Sequence, residues 1–300
     1  MMEPRIQYAK TSDGVSIAYA VFGEGPPLVY TPGAYGIGVH YYSHLSFSRR
    51  GIDQMAAAGL QVVRYDGRGT GASDRTETET SLETEVLDLE AVVERLGFGR
   101  CALLGRFGGT QAAIAYATRR PERVSQLILR DPWASVADMY QMFPGNRVLA
   151  AMRPFAEQQW ELVCMNIAAV GFGLADSDLS KEYAAAIRSG ITPAAWVRAE
   201  QAAEKFDITG LLEAVSVPTL VIMDTSLRAG RPLRRLIGVG PQRGSPQRFP
   251  MRGSSRRAIS RLRYVSSCAR APRHLQLLAR PDLLAVSRPS FSPTSSATPR

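Results

Sequence analysis

Gly105-Arg106-Phe107-Gly108-Gly109-Thr110 closes the apolar run Cys101-Ala102-Leu103-Leu104, and Gln111 to Ala117 then reads as a helix. Strand, tight turn and helix are the setting of a G-x-S-x-G elbow, where a serine would attack a carbonyl carbon. Gly105 and Gly109 occupy the outer glycine positions, where a missing side chain lets strand and helix approach closely. The central position holds Phe107, whose ring has no lone pair to donate and no proton for a base to remove. The scaffold for a nucleophile is present without the nucleophile.

The other reactive side chains are few. His40, His44 and His274 are the only histidines. His40 and His44 stand four residues apart, a spacing that could bind metal, but no glutamate-containing zincin pattern accompanies them and no metal is expected. Cys101, Cys164 and Cys268 lack the spacing of a zinc site or a disulfide framework and read as three unpaired thiols. Cys101 is expected to be a small core residue. Ser73 ends a glycine-rich loop and is expected to bond local backbone. Gly67, Gly69 and Gly71 resemble a phosphate loop superficially but lack its lysine, so no nucleotide or other cofactor is expected.

The elements that must position the elbow can be read from periodicity. Ile6–Lys10 and Val15–Phe22 read as strands joined by the turn Ser12-Asp13-Gly14. Leu28-Val29-Tyr30 is a short buried strand running into Thr31-Pro32-Gly33, and Gln61–Tyr65 is another. The loop Asp66 to Asp74 carries three glycines expected at positive φ. Thr80 and Glu83 suit a capping box. Leu82, Val86, Leu89, Val93 and Leu96 then form one apolar helical stripe that Gly97 stops. Val124–Leu129 is a further strand after the elbow helix. Strands and helices alternating in this way predict an α/β fold, a mostly parallel sheet with helices on both faces. From residue 135 to 215 no strand is convincing, and a helical insertion is expected. Of its large apolar side chains (Met139, Met142, Phe143, Met152, Phe155, Trp160, Met165, Phe172, Trp196), roughly a third are expected to line a pocket and the rest to form core. Val217–Met223 restores the strand signature. The chain thus divides into a first core part over 1–134, an insertion over 135–215, a core strand over 216–225 and a tail over 226–300.

Composition is that of a globular protein, 45% hydrophobic and 21% charged over 300 residues. No apolar run reaches membrane-spanning length and the N-terminus does not read as a signal peptide, so a cytoplasmic protein without a membrane partner is expected. The net charge of +9 is unevenly spread: residues 1–225 carry −6, and 226–300 carry +15 with sixteen arginines, no lysine and the single acid Asp282. A basic disordered arm would give this pattern and could meet nucleic acid. Out-of-frame translation of GC-rich DNA, which yields Arg, Pro, Ala, Gly and Ser, would also give it. The second reading is preferred because charge, composition and periodicity change together at one place; on that reading no nucleic-acid partner is expected.

From Ile6 to Thr225 the chain resembles the α/β-hydrolase superfamily, and most of all bacterial members whose relatives include domains attached to nucleotide cyclases or regulators. The resemblance rests on Thr31-Pro32-Gly33-Ala34 after the third strand, on Tyr65-Asp66-Gly67-Arg68-Gly69-Thr70-Gly71-Ala72-Ser73 after the fourth, and on the elbow Gly105–Gly109. It implies a helical cap at the insertion and acyl-transfer chemistry in which a histidine activates the nucleophile and a carboxylate orients the histidine. The implied oxyanion donors are backbone N–H groups of Gly108 and Ala34. The implied acid follows the strand ending at Met223, where Asp224 lies slightly early and Leu227 nearer the spot; the only histidine after the elbow is His274. The expectation is an esterase- or lipase-like protein impaired in catalysis. The alternative is a ligand-binding or sensor module that holds a small apolar or ester ligand under the cap.

Overall fold

A computed structural model describes residues 5–33, 35, 37–75, 79–172 and 177–222. Gln7–Lys10 (β1) and Ser16–Phe22 (β2) form a hairpin whose turn is closed by Gly14 at φ +87° and by the Val15 N–H donating to Thr11 Oγ1 at 2.8 Å. Pro27–Thr31 (β3), Gln61–Tyr65 (β4), Cys101–Arg106 (β5), Val124–Arg130 (β6) and Thr219–Ile222 (β7) complete a sheet in the order β1-β2-β4-β3-β5-β6-β7. β1, β2 and β4 pair antiparallel, and every pairing from β4 through β3 to β7 is parallel. The expectation of a mostly parallel α/β sheet holds.

Helices on both faces explain why the central strands carry consecutive rather than alternating apolar residues, as in Leu28-Val29, Val62-Val63, Ala102-Leu103-Leu104 and Leu127-Ile128-Leu129. Val39–His44 (α1) and Ser46–Ala57 (α2) precede β4; Ile52 and Met55 of α2 pack with Leu28, Val62, Leu104 and Ile128 on one face. Leu82–Arg95 (α3) and Gly109–Arg119 (α4) cover the other, with Val86, Leu89, Val93, Ala113 and Ile114 against Val29, Val63, Leu103 and Leu127.

The start of α3 corrects the sequence expectation by one residue. Ser81, not Thr80, is the N-cap: its backbone is extended (φ −147°, ψ 167°), its hydroxyl accepts from Thr84 N–H at 3.3 Å, and Thr84 Oγ1 accepts from Ser81 N–H at 2.9 Å. Two hydroxyls therefore make the reciprocal box in place of a threonine and a glutamate. Gly97 ends the helix at φ +66° as expected. In the loop after β4, Gly69 and Gly71 are left-handed while Gly67 is not.

Between β6 and β7 lie Val136–Met142 (α5), Asn146–Met152 (α6), Trp160–Phe172 (α7), Ser177–Gly190 (α8) and Pro193–Ala203 (α9). They have a core of their own around Trp196, Ile187, Val163 and Leu149, which also takes in Tyr41 and Leu45. The segment is tied at its neck by an antiparallel bridge between Ser135 and Asp207 and by Ile208 N–H donating to the Ala134 carbonyl at 2.9 Å. Among the described residues no helix is long and apolar enough to cross a membrane.

Candidate functional site

The elbow forms as its glycines require. A Cβ on Gly105 would lie 2.7 Å from Thr110 Cα, and one on Gly109 would collide with the Pro32 carbonyl oxygen and sit 2.8 Å from that of Thr31. Thr31 Oγ1 in turn donates to the Gly109 carbonyl at 2.8 Å, tying β3 to the first turn of α4. Between the glycines Phe107 is left-handed at φ +50°. For a residue with a Cβ this costs about 1–2 kcal/mol, and the neighbouring bonds hold it. Phe107 N–H donates to the Arg130 carbonyl at 3.0 Å, while its own carbonyl accepts from Thr110 N–H at 3.0 Å and Thr110 Oγ1 at 2.6 Å.

Above the elbow is a cavity of about 210 Å³. Pro32, Gly33, Phe107 and Gly108 contribute to it from the strand ends, and Met139, Phe143, Leu149 and Ile167 from the helical segment. The Phe107 ring stands edge-on to Phe143 with centroids 5.5 Å apart and lies 6.4 Å from Trp133. Gly108 is the N-cap of α4; within the first turn Thr110 N–H donates to the Phe107 carbonyl at 3.0 Å and Gln111 N–H to the Gly108 carbonyl at 3.1 Å. Of the insertion's large side chains, Met139 and Phe143 line the cavity, Trp196 is buried core, and Phe155 and Met165 are exposed.

Polar groups also reach the cavity. Burial pushes the Glu200 carboxyl up to about 7. Tyr35, left-handed at φ +67°, is driven well above the usual phenol range by burial and then by Glu200. Sequence reasoning gave neither residue a role, because a glutamate and a tyrosine in helical or loop sequence carry no local signature. It also passed over Asp131, buried at the end of β6 with φ +51°, which donates its N–H to the Ile222 carbonyl at 2.8 Å and lies 3.5 Å from Arg130 Nε. A signal was available there: Asp131-Pro132 is a turn-initiating pair directly after an apolar strand.

Ala34, Asp224 and His274 lie outside the described residues, as do Cys268 and the whole tail. His40 and His44 stack with ring centroids 4.0 Å apart; His40 Nε2 lies 3.0 Å from the Ala186 carbonyl and 2.9 Å from Ser189 Oγ, and His44 Nδ1 lies 2.9 Å from the His40 carbonyl. Burial, and then the neighbouring His44, lower the His40 pKa. The His40 ring joins α1 to α8, and the His44 ring stacks on it within α1. Among the described residues no group of three or more His, Cys, Asp or Glu is placed to hold a metal ion. Cys101 and Cys164 are buried free thiols that burial pushes up to about 11 and about 12, far from a reactive thiolate. Ser73 Oγ donates to the Asp66 carbonyl at 2.6 Å and accepts from Ala18 N–H at 2.8 Å, a backbone tie as expected.

A family model described as serine aminopeptidase, S33, matches residues 38–226. The 2-hydroxy-6-oxononadienedioate/2-hydroxy-6-oxononatrienedioate hydrolase of Burkholderia vietnamiensis is 33% identical over 130 residues, 42% of this chain and 40% of that protein. A proline iminopeptidase of Lactobacillus delbrueckii subsp. bulgaricus is 37% identical over 115 residues, 36% of this chain and 37% of that protein. The chain thus spans about two fifths of the length of these curated relatives. Among solved structures, an esterase from Exiguobacterium antarcticum superposes with a TM-score of 0.61 at 20% identity, over 72% of this chain and 79% of that one. A hydrolase from Pseudomonas aeruginosa gives 0.60 at 21%, over 75% and 83%. At these identities the structural likeness speaks for the fold.

Proposed function

Because the chain belongs to the serine aminopeptidase S33 family of α/β-hydrolases, we propose that it is an esterase-type hydrolase scaffold that does not turn over esters as encoded. The observation that carries this reading is Phe107 at the left-handed elbow position, held by backbone bonds and by ring contacts with Phe143 and Trp133. Acyl transfer needs a side chain there that can form and then release a covalent bond to the acyl carbon. A phenyl ring can do neither. The backbone N–H at Gly108 would remain for a carbonyl oxygen, so the fold could still orient an ester without attacking it.

The second reading follows from the cavity. Phe107, Phe143, Met139, Leu149 and Ile167 surround about 210 Å³ with mostly apolar surface, and Glu200 and Tyr35 add a few polar groups. Such a lining suits a small, largely apolar ligand oriented by one or two polar contacts. The chain would then act as a binding or sensing module.

One experiment tests both readings. Purified full-length protein is incubated with p-nitrophenyl butyrate, and release of p-nitrophenol is followed beside a buffer blank. The proposed reading expects no release above the blank, and a melting temperature that rises saturably with the ester if the cavity binds it. Turnover that scales with protein concentration would overturn the claim of lost catalysis.

A further inference from the structure

Arg64 is a buried cation and Arg106 a partly buried one, and neither has a carboxylate within ion-pair distance among the described residues. Arg64, 5% exposed on β4, lays its guanidinium 4.3 Å from the centroid of Tyr30. Arg106, at the end of β5, lies 4.6 Å from the centroid of Phe107. In each the buried Nε has no hydrogen-bond partner, and neither guanidinium forms an ion pair among the described residues. The register explains why they converge. Arg64 pairs across to Tyr30, Tyr30 to Leu104, and Arg106 follows Leu104 by two residues. With side chains alternating along a strand, all four stand on one face, and the two arginines flank β3 at its C-terminal end.

Neighbouring carboxylates make no direct ion pair with either guanidinium among the described residues. Asp66 acts on Arg64 electrostatically without touching it, its carboxylate oxygens accepting from the N–H groups of Gly38 (2.7 Å), His40 (3.1 Å) and Ala72 (3.0 Å). Arg130, in register with Arg106, has its own carboxylate in Asp131. Tyr41 and Tyr183 are raised by burial and stay neutral phenols. Burial lowers the Arg64 pKa; Tyr30 and Asp66 oppose that shift, and the Arg106 charge adds to it. A buried charge without a partner is costly, and guanidinium forks match oxyanions with parallel N–H donors.

We propose that Arg64 and Arg106 form a binding site for an oxyanion, a carboxylate or phosphate carried by a small ligand, at the C-terminal ends of β4 and β5. The site adjoins the elbow through the Arg106–Phe107 contact but does not depend on what the cavity holds or on whether the chain is catalytic. Two oxygens of the ligand would accept from the two guanidinium groups, with Tyr30 fixing the plane of Arg64.

The test is thermal unfolding of the full chain titrated with sodium phosphate and, separately, sodium acetate, with sodium chloride holding ionic strength constant. At least one titration should raise the melting temperature saturably, and Arg106→Gln should weaken its midpoint by about tenfold or more. Saturation by phosphate alone identifies a tetrahedral oxyanion, and by acetate alone a carboxylate; either supports the site. Arg64→Gln serves as the second variant, and if it fails to fold, the native chain and Arg106→Gln decide between them. Absence of a saturable rise in both salts, or titrations unchanged in Arg106→Gln, would overturn the proposal.

Discussion

Phe107 meets Phe143 edge to face, with ring centroids 5.5 Å apart and planes at 85°, so a residue of the sheet's elbow is locked to one beyond the end of α5. Edge-to-face pairs are worth about 0.5–1.5 kcal/mol beyond the area they bury. A double-mutant cycle with Phe107→Ala and Phe143→Ala should return a coupling energy in that range from denaturant unfolding. A coupling of zero would mean that the two rings stabilise the protein independently.

Phe107→Ser restores a hydroxyl at the elbow and relieves none of the left-handed backbone. No histidine lines the cavity among the described residues, and a serine without a base is a poor nucleophile at neutral pH. The variant should show no esterase activity above the native chain, measured as p-nitrophenyl ester release. Clear activity would mean that a base reaches the elbow.

Gly109→Ala should destabilise the fold without touching any side-chain chemistry. Its Cβ would meet the backbone carbonyls of Pro32 and Thr31, which belong to the end of β3 and cannot rotate away. A loss of about 1–3 kcal/mol is expected, read as a lower denaturant midpoint at unchanged slope.

Arg68 is the hinge of a buried ion network. Its Nε donates to Asp88 Oδ1 at 2.9 Å and its Nη1 to Asp13 Oδ2 at 2.7 Å. Asp88 is almost fully buried and Asp13 is partly open to solvent. Arg68→Met leaves the Asp88 carboxylate uncompensated and should cost about 3–5 kcal/mol. Asp13→Asn removes only the outer partner and should cost less, about 1 kcal/mol. Urea melts of the two variants check the order.

Glu200 makes stability pH-dependent with a definite sign. Burial raises its carboxyl from the ordinary 4.5 to about 7, so the folded chain holds this proton more tightly than the unfolded chain. Its contribution is fully present below pH 4.5 and is lost as pH rises towards 7. Glu200→Gln cannot ionise. The difference in melting temperature, variant minus native, should therefore climb between pH 4.5 and 7 and level off above it. A flat difference would show that the carboxyl is solvated in solution.

Much of the fold was legible because it depends on local signals. Each described strand was marked by a short apolar or alternating run, and the helix over Leu82–Arg95 by its apolar stripe and Gly97. The capping pair was misread by one residue because Thr80, Ser81, Glu83 and Thr84 all carry capping side chains, and only backbone conformation selects among them. The elbow was legible from two glycines. Other features arise from tertiary proximity, which spacing along the chain does not encode: Arg64 and Arg106 are 42 positions apart and flank one strand end only because β3 lies between β4 and β5. Glu200 titrates unusually only because α9 faces the strand ends across the cavity.

The Ser135–Asp207 bridge bears on the order in which the chain assembles. β6 and β7 are neighbours in the sheet, yet roughly 90 residues separate them, and closing a flexible loop of that length costs about 4 kcal/mol in entropy. Once the neck is tied, the connection shortens to roughly 17 residues and the closure cost falls by about 1.5 kcal/mol. Docking of β7 should thus follow, not precede, folding of the five helices. Transient opening of the neck should release β7 first, so the backbone amides of Leu220 and Ile222 should exchange with solvent ahead of those in β5.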